Sequence, residues 1–371
     1  MIRYELPPSR NIEHPDIETV LGADGRADPH LDPKLDTALV VRIYEAMLRT
    51  RVLDDRMLAL QRQGRVSFHV GCRGEEAAII AAAAALRAED WIFPCYRELG
   101  ALLWRGFPLQ RYVDNMFGNA DDVVQGRQMP DHVTGRQWQY ASVSSPIGTQ
   151  IMHAVGFGWA AKLKKEKLAT AVFFGDGATS TPDFHTGLNF AGVYKTPTVF
   201  LCRNNRWAIS VPSDKQTASA SFAAKGAAYG VRSVRVDGND ALATYRAVRE
   251  AVERSEQGPT LIELVTYRLG GHSTSDDPKA YRLQEEVDLQ IKGDPLTRLR
   301  RHLELLGAWS ELQERRLVGQ LDAEIKACVE IAEKKPAPAL RSMFDGVYAE
   351  RPWHLDEQYE TSKRGPRPEK E

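Results

Sequence analysis

Two short polar groups, each placed at the end of an apolar run, carry the chemistry available to this chain. Gly175-Asp176-Gly177 follows the run ATAVFF, Asn204-Asn205 follows TVFLCR, and 26 residues (178–203) lie between the two groups. That interval holds a helix-length stretch and the second apolar run. In a parallel sheet both runs end on the same edge, which sets the acid beside the amides. An Asp carboxylate and an Asn carbonyl are hard oxygen donors of the kind Mg2+ takes, together with phosphate oxygens and water. Flanking glycines let backbone N–H groups approach a phosphate with no Cβ in the way. The arrangement reads as a cradle for a metal and a diphosphate. The bare tripeptide is also an ordinary turn; the two strands, the interval and the Asn pair together argue against that simpler reading.

The elements that must position these groups follow from periodicity. Apolar runs at 169–174, 198–202, 231–236 and 260–266 read as strands, and helices are expected between them, beginning near Asp183, Phe222 and Ala241. Strand-helix-strand alternation predicts an α/β fold with a parallel central sheet. Such sheets bind ligands at the carboxyl ends of their strands. Upstream, residues 39–63 have the spacing of a long amphipathic helix, with Val41, Ile43, Met47, Leu53, Met57 and Leu60 on one stripe. The Ala-rich stretch 77–90 reads as a buried helix, 91–94 as a short strand stopped by proline, and 147–165 as a helix with an apolar face and a basic end. Small residues along that last segment permit close helix packing.

Four regions are expected: an extended N-terminal arm over 1–37, an α/β domain over 38–294, a charged and solvated helical extension over 295–360, and a disordered tail over 361–371. With 371 residues, 43% of them hydrophobic, the chain can bury a sizeable core. A formal net charge of −1 gives no electrostatic reason to expect nucleic acid or an anionic membrane. No apolar run reaches the ~18 residues of a membrane span. Cys72, Cys95, Cys202 and Cys328 are scattered, without the spacing of a zinc site or a disulfide framework. The opening MIRYELPPSRNIEHPD shows neither a secretory nor a transit signal, so a cytoplasmic location of bacterial type is expected.

Several ordered segments beyond the acid and the amides carry a resemblance. PCYRELG (94–100), GRQMPDH (126–132), SVSSPIGTQ (142–150), the Gly-Asp-Gly to Asn-Asn unit, VDGND (236–240) and YRLGGHSTSDDPKAYR (267–282) resemble the α subunits of the E1 component of 2-oxo acid dehydrogenases, the branched-chain type above all. The likeness runs over roughly residues 40–350 and implies the three-layer thiamine diphosphate-binding fold. It implies Mg2+ ligation by the side chains of Asp176 and Asn205 and by the backbone carbonyl of Trp207. Gly177 and Ala178 then present N–H groups to the diphosphate, and Tyr96, Arg97, Arg203, Ser145 and Ile147 contact the cofactor. His272 matches a histidine near both diphosphate and substrate, where an imidazole of near-neutral pKa can donate to a phosphate or stabilise an oxyanion. Ser144, Pro146, Thr149 and Gln150 match a potassium site that steadies the cofactor loop. The same stretch also reads as a plain helix start, with serine as cap and proline in the first turn. Ser273 falls where the animal branched-chain enzymes are phosphorylated, whereas the second such position is Leu283.

The chain departs from the family's pattern at Thr181-Pro182, where an acidic residue and glycine are usual, and at Cys95, where glutamine is common. The resemblance implies oxidative decarboxylation of a branched-chain 2-oxo acid such as 2-oxoisovalerate, with transfer of the acyl unit to the lipoyl group of E2. It also implies an E1 β subunit that completes the site in an α2β2 heterotetramer within a multienzyme complex. Pyruvate and acetoin dehydrogenase α subunits share the motif, and a non-catalytic paralogue that keeps the fold for partner binding is a further alternative.

Overall fold

The computed structural model describes residues 17–365. The first sixteen residues of the expected arm and positions 366–371 of the expected tail lie outside that range. The strands are β1 (Ile17–Glu18), β2 (Trp91–Phe93), β3 (Thr170–Gly175), β4 (Thr198–Asn204), β5 (Trp207–Ala208), β6 (Val211–Pro212), β7 (Arg232–Asp237) and β8 (Thr260–Val265). The helices are α1 (Thr37–Arg62), α2 (Glu76–Ala85), α3 (Leu99–Trp104), α4 (Leu109–Phe117), α5 (Thr149–Leu163), α6 (Pro182–Tyr194), α7 (Ala241–Glu253), α8 (Gln284–Ile291), α9 (Pro295–Leu305), α10 (Glu311–Ala332) and α11 (Trp353–Ser362).

Six strands form one parallel sheet in the order β1-β7-β8-β4-β3-β2, and β5 and β6 make a separate antiparallel pair. The central strands are apolar on both faces because both faces are covered. Ala171, Phe173, Val199, Leu201, Ile262 and Leu264 point into one core with α1, α2 and α7. Val172, Phe174, Phe200, Cys202 and Leu261 point into the other, with Ile151 and Ala154 of α5 and Phe184, Leu188 and Ala191 of α6. Alternate residues serving opposite cores is the period-two geometry of a strand, and it yields the three layers directly.

Four local readings need correction. The helix expected over 77–90 ends at Ala85, since Leu86 turns extended and Asp90 folds back to accept from the Arg87 backbone N–H at 2.8 Å. The helix expected near Phe222 is a run of 3-10 turns over Ala223–Tyr229, closed by Gly230 in the left-handed region. The arm is in part an element of the fold. Its residues Ile17 and Glu18 pair with Arg235 and Val236 as an edge strand. Asp240, fully buried, accepts the N–H groups of Val20 (2.7 Å) and Leu21 (2.5 Å) while capping α7 through Leu242 and Ala243, both at 3.0 Å. Helix α11 continues to Ser362, past the expected start of the tail.

The C-terminal helices also differ from a solvated extension. Leu296, Leu299 and Leu303 of α9, with Leu321, Ile325 and Val329 of α10, belong to the same apolar cluster as α1 and α2. Tyr44 of α1 donates to Glu314 at the start of α10 at 2.7 Å, and Trp309 Nε1 reaches the same carboxylate at 2.8 Å. Charge density along α10 is real, but part of it faces α1: Glu314 takes Tyr44 and Trp309, and Asp322 and Glu324 pair with Arg56 and Arg49.

Because Ile325 is fully buried, Ile325→Ala is expected to cost about 2–5 kcal/mol. Denaturant unfolding followed by circular dichroism and by tryptophan fluorescence should show one shared transition moved to lower denaturant. A separate early transition for the C-terminal helices would contradict this packing.

Candidate active site

Register brings the two polar groups together. Gly175 of β3 pairs with Arg203 of β4, and Asn204 pairs with Val265 of β8. Asp176 and Asn205 therefore leave the sheet on the same edge, one residue beyond paired positions. Asp176 opens a 3-10 turn over Asp176–Ser180 and is 1% exposed. Its Oδ2 accepts from Gln216 Nε2 at 2.6 Å and Ser213 Oγ at 3.2 Å, and Ser213 also reaches Asn204 Oδ1 at 3.1 Å. Burial pushes the carboxyl up to about 6 in spite of these donors. A carboxylate so placed gains from a cation.

The two asparagines have separate duties. Asn204 Nδ2 donates to Glu263 within the sheet at 2.8 Å. Asn205 Nδ2 donates to Glu75 at 2.9 Å, while its Oδ1 accepts from the Trp207 N–H at 3.2 Å. The Trp207 carbonyl lies beside Arg268 Nη1 at 3.2 Å, and its ring is buried with Tyr267 and Val287, so the aromatic identity serves packing. Gly177 is required by close approach: a Cβ there would meet Ala208 Cβ at 2.7 Å. The β5–β6 hairpin thus lies directly on the Asp176 turn. Among the described residues no three His, Cys, Asp or Glu side chains gather to hold a metal. The donors here are one carboxylate, one amide and one backbone carbonyl, a hard mixed set suited to Mg2+ that leaves positions for phosphate and water.

The segment after β2 supplies the other wall. Arg97 donates to the Gly71 carbonyl at 2.6 Å and to the His272 carbonyl at 2.7 Å, with His272 Nδ1 at 3.1 Å. Tyr96 meets the His272 ring edge-on at 5.9 Å. The expectation of a near-neutral imidazole is corrected: burial, then the charges of Arg97 and Arg268, push His272 down to about 3. It is a neutral donor and acceptor here, and a diphosphate alongside would offset the two arginines. Arg203 also differs from an open fork aimed at phosphate. Its two terminal nitrogens pair with the buried carboxylates of Glu75 and Glu98, and only Nε lacks a partner. Glu75, Glu98, Ser213 and Gln216 had not been singled out from the sequence; the pair Glu75-Glu76 opening an apolar helix was the one available hint.

Before α5 the oxygens of Ser144, Pro146 and Thr149 converge: Thr149 Oγ1 lies 2.9 Å from Ser144 Oγ and 3.1 Å from the Pro146 carbonyl. Gln150 spends its Nε2 on the Phe173 carbonyl at 3.0 Å, leaving Oε1 buried without a partner. No serine caps the helix, because Gly148, at φ +97°, takes the cap position. The serine-cap reading is therefore set aside; the oxygens of Ser144, Pro146 and Thr149 gather together, while the Gln150 side chain reaches β3. Ser145 bonds to His132, and Ile147 is 40% exposed at the mouth. At the departure Thr181-Pro182, Thr181 Oγ1 caps α6 at Phe184 N (3.3 Å) and Pro182 fills the first turn. A neutral cap has replaced an acidic one, and Asp176 is untouched by the change.

Residues 44–341 match the family model described as "Dehydrogenase E1 component". The chain is 46% identical over 343 residues to the 2-oxoisovalerate dehydrogenase subunit alpha 1, mitochondrial, of Arabidopsis thaliana, covering 91% of this chain and 73% of that protein. It is 42% identical over 340 residues to the Homo sapiens 2-oxoisovalerate dehydrogenase subunit alpha, mitochondrial, covering 91% and 76%. The Dictyostelium discoideum protein of the same description is 41% identical over 335 residues, covering 89% and 76%.

Given the 2.7 Å approach at Gly177, Gly177→Val must displace the β5–β6 hairpin, at about 1–3 kcal/mol. The expected result is a lower melting temperature that does not rise on adding Mg2+ and thiamine diphosphate. A variant stabilised normally by that pair would show the hairpin to be dispensable.

Proposed function

The chain belongs to the dehydrogenase E1 component family, and from that premise we infer that it is the α subunit of a thiamine diphosphate-dependent E1 that oxidatively decarboxylates a branched-chain 2-oxo acid such as 2-oxoisovalerate. The observation that carries this is 41–46% identity, over about nine-tenths of the chain, to relatives named for that substrate. As an α subunit it works with a β subunit. We propose an α2β2 assembly that passes the acyl unit to a lipoyl group of E2.

Thiamine diphosphate, when bound, supplies the nucleophile and electron sink that decarboxylation needs. The chain's own residues bind and orient it. Asp176, Asn205 and the Trp207 carbonyl are proposed to hold Mg2+. The N–H groups of Gly177 and Ala178 are proposed to meet the diphosphate, with Arg97 adding positive charge behind them and Arg203, its terminal nitrogens held by Glu75 and Glu98, offering only its unpartnered Nε. Ser144, Pro146, Thr149 and Gln150 are proposed to hold K+, which would satisfy the orphaned Gln150 oxygen. Tyr96, Ser145 and Ile147 line the approach. His272, whose pKa is lowered first by burial and then by Arg97 and Arg268, is proposed to donate one hydrogen bond where negative charge develops on a substrate oxygen.

Activity of the reconstituted α–β complex on 2-oxoisovalerate against pyruvate tests the substrate, and a preference for pyruvate would overturn the branched-chain reading. Asp176→Ala should abolish Mg2+-dependent cofactor binding by calorimetry; unaltered affinity would move the metal elsewhere. Proton linkage gives a further check. Mg2+ needs the ionised carboxylate, and burial raises its pKa to about 6. A proton therefore competes below that value and is already absent above it. Mg2+ affinity should level off above ~7 and fall by about tenfold per pH unit well below 6, a slope that Asp176→Asn removes.

A further inference from the structure

The loop carrying His272 lies along a second stretch of chain, residues 69–74, and four direct hydrogen bonds and one bridge through Arg97 join the two. Thr266 Oγ1 donates to the Gly74 carbonyl at 2.7 Å, and the Leu269 N–H to the Arg73 carbonyl at 3.0 Å. Arg97 bridges the Gly71 and His272 carbonyls. At the far end the Thr274 N–H donates to the His69 carbonyl at 3.0 Å, and the His69 N–H to Thr274 Oγ1 at 3.1 Å. Segment 69–74 therefore acts as a rail on which the loop is laid. Whatever fixes the rail fixes the main chain on both sides of His272.

The rail is fixed by a buried charge cluster outside the site described above. The His69 ring is 3% exposed and sits between two carboxylates, with Nδ1 3.1 Å from Asp131 Oδ2 and Nε2 3.3 Å from Asp54 Oδ1. Each carboxylate also holds rail backbone: Asp131 accepts the Val70 N–H at 2.7 Å, and Asp54 the Cys72 N–H at 2.7 Å. Tyr112 donates to Asp131 at 2.7 Å, and Asp131 itself adopts φ +69°, a conformation that its partners must maintain. Burial opposes a charge on the ring, yet Asp131 and Asp54 outweigh it and push His69 up to about 10. Two buried carboxylates on one short stretch would repel each other without a cation between them.

We propose that His69 is a positioning residue for the reaction: as an imidazolium wedged between Asp54 and Asp131 it pins residues 69–74, and through their contacts with Thr274 and Arg97 it holds the His272 loop in place. This rests on the reading of His272 as the catalytic histidine. The cluster contributes no group to cofactor or substrate; its effect is on loop geometry, where a displacement of about 1 Å can cost up to 100-fold in rate.

The test uses the α–β complex for turnover and the α chain for proteolysis. His69→Gln, assayed well below its melting temperature, should lower kcat by about tenfold or more, change KM for the 2-oxo acid little, and speed tryptic cleavage after the exposed Lys279 by a similar factor. A purely structural histidine would lower the melting temperature while leaving kcat and the cleavage rate unchanged in the folded fraction, and that result overturns the proposal. Should His69→Gln fail to fold, the double variant His69→Gln/Asp131→Asn keeps the same buried net charge and is read in the same way. Thr274→Val, which removes one loop-to-rail bond and leaves the cluster whole, should also speed cleavage after Lys279; no acceleration counts against the rail. Cleavage does not depend on turnover. An unaltered chain inactive on every 2-oxo acid sinks the functional reading alone, whereas an active one with an indifferent His69→Gln sinks the positioning role alone.

Discussion

Arg203 is a guanidinium at the carboxyl end of a central strand with no route to solvent, held between Glu75 and Glu98. Much of the site depends on that constraint. Glu75 also takes the amide of Asn205, which turns the carbonyl of that side chain away from the carboxylate. Glu98 stands one residue after Arg97, which carries the His272 loop. One buried ion network thus sets the orientation of Asn205, of Arg203 and of the His272 loop. Removing any one member would leave a charge uncompensated in a dry interior. The network is also why Arg203 does not sit as an open fork: Glu75 and Glu98 take its two terminal nitrogens.

The lines of the fold were largely legible in the amino-acid order. Strands β3, β4 and β8 are largely apolar runs because both faces are buried, and the ends of β3 and β4 coincide with the polar groups that mark the site, whereas β7, RSVRVD, is mostly half-buried. Misreadings occurred where tertiary contacts decide. A period-like pattern near Phe222 became 3-10 turns because a glycine closes it and Glu263 takes the Ala223 N–H at 2.9 Å. The charged C-terminal helices were read as solvated, but a stripe of Leu, Ile and Val only every third or fourth residue was enough to bury one face of α10.

Within the site, residues standing in motifs were found and their supports were not. Asp176, Asn205, Tyr96, Arg97 and His272 were singled out from sequence, and the fold brings them to one sheet edge. Glu75, Glu98, Ser213 and Gln216 act through spatial proximity to residues up to 130 positions away, which local spacing cannot encode. Protonation was hidden too. An isolated loop histidine carries an ordinary pKa; two arginines and burial, absent from any linear pattern, depress His272 far below it.

The first helix meets its partner late. Tyr44 and Glu314 are 270 residues apart along the chain, so during synthesis the part of the α1 face that packs on α10 must wait for α10, while the part against α2 can be covered early. The early strand Ile17–Glu18 waits almost as long, since the Asp240 that grips the backbone just beyond it lies about 220 residues downstream. Native contacts of such sequence separation slow folding and prolong exposure of sticky surface. A truncated product lacking α10 would leave exposed the part of α1 that α10 covers.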